Sequence, residues 1–143
     1  MNKQSMDGER KAGLRSVLAA AALGAPAAIL LTVLVYGVAH LAGSSLRVTA
    51  PGSDSGTVPL AAVIGACLGA AVASGILAAI LAKRTHRRRL YLTLTTAALV
   101  LSFGSPFAAA DTTTTALWLC AMHITAAIGV MAPTARSLGR TMS

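Results

Sequence analysis

Four apolar blocks follow one another along this chain, each long enough to cross a bilayer, and no soluble fold of this size could hide them all. A helix spanning the ~30 Å hydrocarbon core needs about 20 apolar residues. The blocks at 17–41, 59–82, 90–110 and 116–135 meet that requirement. Their apolar residues run on without a helical or strand-like period, as in a span rather than an amphipathic core helix. Only 11% of the 143 residues are charged and 55% are hydrophobic, whereas a soluble domain is about 25% charged. The fold class that follows is all-α, an integral membrane four-helix bundle. A polar N-terminal segment, 1–14, is expected to be disordered. The transmembrane domain occupies 15–138 and a short tail 139–143.

Charge orients the four spans. The N-terminal segment carries Lys3, Arg10, Lys11 and Arg15. The loop 83–89, "KRTHRRR", carries five more basic residues, and the tail carries Arg136 and Arg140. In a four-span arrangement these eleven of twelve basic residues share one side, and only Arg47 falls on the other. The excess of Lys and Arg on one side predicts that both termini and the 83–89 loop are cytoplasmic. The net charge of +8 therefore needs no nucleic acid to explain it. Tyr36, Tyr91, Phe103, Phe107 and Trp118 are too few and too scattered to stack bases. Tyr91 and Trp118, near span ends, suit interfacial anchors. The first block has a basic leader and "GVA" at 37–39, which resembles a signal-peptide cleavage site. Its apolar core exceeds the usual ~7–15 residues of a signal peptide, so an uncleaved span is expected.

Lipid is as apolar as leucine, so membrane helices associate through close packing of small residues. Gly65 and Gly69 in "GACLG", with Ala73 and the neighbouring row Ala66, Ala70 and Ser74, make the second span a candidate for such contact within the chain. Pro26 is expected to kink the first span. Asp111 or a nearby Thr would cap the fourth helix. "SFGSPF" (102–107) would end the third helix or break it and open backbone carbonyls.

An ionisable group inside the membrane is costly and draws attention first. His123 in "LCAMHITAAIGV" lies about eight residues into the fourth span, roughly 12 Å deep and close to mid-membrane. Its helical face carries mostly small residues, which places it inside the bundle. The same depth falls near Thr32, Cys67 and Ser102 on the other spans, so Thr32, Cys67, Ser102 and His123 define a candidate intramembrane polar layer. A neutral imidazole needs one acceptor and one donor when buried. The first reading of His123 is a structural, hydrogen-bonded ring. A ligand- or proton-handling role ranks second, and a metal or haem ligand third. His40 and His86 lie at other depths, so no bis-histidine pair forms. Cys67 and Cys120 form no CxxC motif and read as small buried side chains. No span carries a carboxylate for a proton or cation path. No metal site and no cofactor are expected. Lys83, Arg84, Arg87, Arg88 and Arg89 are candidate contacts for anionic lipid headgroups, although a topology signal alone explains them.

The run from "PLAAVIGACLGAAVASGILAAILAKRTHRRR" through "LVLSFGSP" to "TTTTALWLCAMHITAAIGVMAP" resembles an uncharacterised family of small four-span membrane proteins of high-GC bacteria, a domain of unknown function. The resemblance covers roughly 15–138 and carries over Ser102, Pro106, the Thr-rich start of the fourth helix and Met122-His123. It implies four helices and a bacterial cytoplasmic (inner) membrane location, and no activity. With no acid pair, nucleophile set or phosphate loop, the expectation is a non-enzymatic accessory subunit or small-ligand binder. The alternative is a transporter or channel component working as an oligomer. The bilayer is the certain partner; a homo-oligomer or another membrane protein is a further one, and nucleic acid is not.

Overall fold

The computed structural model describes residues 3–49, 54–82 and 84–140, the side chains of 3–14, 16–18 and 140 excepted. The elements in chain order are α1 (Lys3–Leu41), β1 (Arg47–Val48), β2 (Gly56–Thr57), α2 (Leu60–Leu81), α3 (Arg87–Ser102), α4 (Gly104–Ala109) and α5 (Thr113–Arg140). Four stretches are long and apolar enough to cross a membrane: Ala19–Leu41, Leu60–Leu81, Arg87–Ala109 and Thr113–Gly139. The chain is therefore a multi-pass membrane helical bundle, with successive helices antiparallel. One end carries the basic loop; the other carries the β1–β2 hairpin.

The bundle is built on α1, which packs against both α5 and α2. Its buried positions Ala21, Gly24, Ala28 and Thr32 recur every three to four residues, with Ala39 seven further on, and form one small-residue stripe. That stripe meets Gly129 on α5 at near-backbone contact. A Cβ added to Gly129 would lie 2.5 Å from the Ala28 Cα, and one added to Gly24 would lie 3.1 Å from the Gly129 carbonyl oxygen. On the α2 side, a Cβ on Gly75 would come 3.3 Å from the Ala21 Cβ. Such close approach maximises dispersion contact, the main attraction left between helices in lipid. The expected row is not the one used. Gly65 and Gly69 are exposed, and a Cβ on either would meet nothing within 4 Å. The α2 face turned inward is instead Val63, Cys67, Ala71, Ser74 and Ala78.

Three buried clusters stack along the bundle. The hairpin end holds Ala39, Leu46 and Met122, with Trp118 packed against them. The middle holds Ala28, Cys67, Ala71 and Val130. The basic end holds Ala78, Leu81, Tyr91, Ala135 and Leu138. Among the described residues the buried α3 member of these clusters, with half-buried Leu92 packed against the same one, is Tyr91. It is fully buried and its hydroxyl lies 2.5 Å from Ser74 Oγ, so it is a core residue rather than the interfacial anchor expected of it.

At the hairpin end, Arg47 and Val48 pair antiparallel with Thr57 and Gly56, and Val48 also bridges Ala110. Thr49 Oγ1 donates to Asp111 Oδ1 at 2.7 Å, Arg47 Nε approaches Asp111 Oδ2 at 3.7 Å, and Tyr36 donates to the Val58 carbonyl at 3.0 Å. The two Asp111 contacts tie the α1–α2 loop to the α4–α5 junction, and the Tyr36 bond ties that loop to α1. Leu46 is fully buried at a φ of +46°, a left-handed backbone that a leucine adopts only when its surroundings impose it. The Pro51-Gly52 turn expected in this loop lies outside the described residues.

Other boundaries also differ from expectation. The segment expected to be disordered is helical from Lys3. It is rich in Glu, Lys, Arg, Gln, Met and Ala, and extending an existing helix avoids the cost of nucleating one. The helix runs on through Pro26. The third span breaks at Phe103 and resumes as α4. The carbonyl freed at the break accepts from Ser105 Oγ at 3.0 Å, so the serine of "GSP" covers what the break opens. α5 begins under a Thr112 cap whose Oγ1 accepts the Thr115 amide at 3.2 Å, while Asp111 serves the hairpin instead. α5 continues to Arg140, five residues past the expected end, and passes through Pro133.

Candidate functional site

A cavity of about 500 Å³ lies between α2, α3 and α5, with Thr32 of α1 and Val58 of the hairpin loop on its wall. Its origin can be traced to side-chain size. The α2 wall is Ala62, Ala66, Ala70 and Ala73, which do not reach far enough to fill the space before α3. α3 is held at its basic end by Tyr91 and Arg87, and beyond the break α4 packs on α5 with Pro106 buried. Between those fixed points α3 stands off. Ala66 and Ala70 on α2 and Leu94 and Ala98 on α3 are exposed, so the cavity opens sideways between these helices, towards the acyl chains. From Ala62 to Leu77 the α2 wall runs fifteen residues, or about 22 Å at the helical rise. An elongated cavity of that length and volume suits an extended alkyl chain.

All four residues of the expected polar layer, Thr32, Cys67, Ser102 and His123, line this cavity. They do not bond to one another. The His123 Nδ1 lies 2.8 Å from the Leu119 carbonyl of its own helix. Ser102 Oγ donates to the Leu99 carbonyl at 2.7 Å. Thr32 Oγ1 lies 3.5 Å from Thr125 Oγ1 on α5. Cys67 is 2% exposed and packed against apolar neighbours. Ser102 and His123 each turn back on the backbone of their own helix, and Thr32 pairs across to α5. His123 is half-buried rather than sealed, and its open side faces the cavity.

Thr95 and Met131 are among the wall residues that the sequence reading does not single out. Thr95 lines the cavity and donates to the Tyr91 carbonyl at 2.7 Å. The spacing of Thr95, Ala98, Leu99 and Ser102, three and four residues apart, marks the inward stripe of α3, and that spacing was the available signal. Met131 closes the basic end.

The other candidates fall elsewhere. His40 stacks edge-on against Tyr36 at 4.5 Å, and His86 is exposed at the basic end. Cys67 and Cys120 are free thiols. Among the described residues no three His, Cys, Asp or Glu side chains come together as a metal would require. In the basic loop, Arg84, Arg88 and Arg89 are exposed. Arg87 has a structural task. Its Nε donates to the Leu138 carbonyl at 3.1 Å and its Nη1 to the Ala82 carbonyl at 3.2 Å, covering carbonyls at the ends of two helices. Lys83 lies outside the described residues.

No curated protein and no solved structure matches this chain. The match over residues 12–140 is to a family described as a family of unknown function, DUF6069, and the chain belongs to it.

Proposed function

We propose that this chain is a non-enzymatic binder of an apolar molecule resident in the bilayer, held in the lateral cavity beside His123. The observation that carries this reading is the cavity itself: long, apolar in lining and open to lipid rather than to water. Membrane ligand sites between bundle helices have this character, with few polar groups on an apolar wall. The membrane is a bacterial cytoplasmic one, with the basic end in the cytoplasm, as the charge bias supports. There, exposed Arg84, Arg88 and Arg89 are placed to meet anionic headgroups. The lining does not favour a transporter or channel path, because a water route needs polar groups along its length.

The test is native mass spectrometry of the protein extracted with its own lipids. A tightly retained apolar molecule is expected, and Ala98→Phe, which fills the cavity from α3, is expected to release it. Retention unchanged in Ala98→Phe, or no retained molecule in the unaltered protein, refutes the reading.

A further inference from the structure

The cavity wall has a chemical polarity of its own, because the Ser102 and Thr95 hydroxyls on α3 are already committed as donors, to the Leu99 and Tyr91 carbonyls. Thr125 gives its proton to the Met122 carbonyl at 3.0 Å, so in the Thr32–Thr125 pair Thr32 is the donor. Ser74 and Tyr91, 7% and 0% exposed, share one hydrogen bond, which uses one of their two hydroxyl protons. No Lys or Arg lines the cavity among the described residues.

His123 completes the pattern. Its Nδ1 faces the Leu119 carbonyl, which can only accept, so Nδ1 holds the ring proton. In a neutral imidazole Nε2 then carries only a lone pair. No described residue bonds to Nε2. Yet no side-chain nitrogen or oxygen is both sealed and unpartnered among the described residues. Nε2 is therefore open to the cavity that the ring lines. It sits ten residues from the start of α5, about 15 Å, at mid-membrane.

We infer that the cavity selects a single-chain lipid with a neutral hydroxyl group, a long-chain alcohol in chemical class, which donates its hydrogen bond to His123 Nε2. This rests on the cavity reading above and adds what the ligand must offer. Carboxylate and phosphate heads present acceptors to the Nε2 lone pair, find no cation, and are costly to bring to this depth. An ether or hydrocarbon fills the cavity but leaves Nε2 without a partner.

The test uses the full chain in nanodiscs with ¹⁵N-labelled histidine, the His123 signals being assigned by their loss in His123→Gln. Hexadecanol, hexadecyl methyl ether and palmitate compete for the cavity. Hexadecanol is expected to bind about fivefold to tenfold tighter than the ether. It is also expected to shift the Nε2 resonance, which the ether leaves in place. His123→Leu should bind both equally. Equal binding of alcohol and ether by the unaltered protein overturns the inference, as does tighter binding of palmitate or a ring proton on Nε2 in the empty protein. The unaltered protein's spectrum decides even if His123→Leu does not fold. If no chain binds and Ala98→Phe changes nothing, the cavity reading itself has failed.

Discussion

The α1–α5 seam and the α2–α3 gap are both lined by small residues, and they end in opposite structures. At the seam Gly24 and Ala28 meet Gly129, and the backbones come almost into contact. At the gap Ala66 and Ala70 face Leu94 and Thr95 across an open cavity. Small residues permit close approach only where both helices offer them at the crossing and nothing else holds the helices apart. α3 offers larger side chains and is pinned at both ends, by Tyr91 and Arg87 at one and by the packing of α4 on α5, with Pro106 buried, at the other. A small-residue row opposite such a helix produces a void.

Four variants probe that contrast. Gly129→Ala puts a methyl group on the Ala28 backbone, and the seam must open. A loss of about 3 kcal/mol is expected, at the upper end for overpacking, read by reversible unfolding in mixed micelles. An unchanged midpoint would mean that the seam is looser than described. Tyr91→Phe removes the Ser74 bond that anchors α3. About 1 kcal/mol is expected, typical of a buried membrane hydrogen bond. Faster hydrogen exchange should be confined to α3, and exchange that spreads into α1 would refute its separate attachment. Ala98→Leu adds atoms where the cavity has room. Stability should stay level or rise by up to about 1 kcal/mol, whereas a clear loss would mean that the gap is already filled by protein. Gly65→Ala combined with Gly69→Ala falls on an exposed face, so a change within about 0.5 kcal/mol is expected by the same unfolding assay. A large loss there would restore the GxxxG row as a contact, made with a second chain.

The spans and their number are legible in the residues. Counting along the helices puts Thr32, Cys67, Ser102 and His123 at one depth; the four line one elongated cavity and do not bond to one another. What was not legible was which face of α2 turns inward. Val63, Cys67 and Ala71 are no more apolar than Gly65, Leu68 and Val72, which face out. Tyr91 was read as an interfacial anchor because it stands near a span end; its burial depends on Ser74, seventeen residues away. Arg87 looked like any other arginine in a basic loop until two helix ends were found within its reach.

Hydropathy and charge along the chain were enough to decide that this is a four-span membrane bundle and to separate its basic end from its hairpin end. They act through transfer into lipid, which each segment undergoes largely on its own. The choice of seam, the standing-off of α3 and the cavity it leaves were decided by tertiary structure alone. Core and lipid are alike in polarity, so polarity cannot mark the inner face of a helix. Only the fit of one surface against another does, and for Gly129 against Ala28 that fit exists only once α1 and α5 lie side by side.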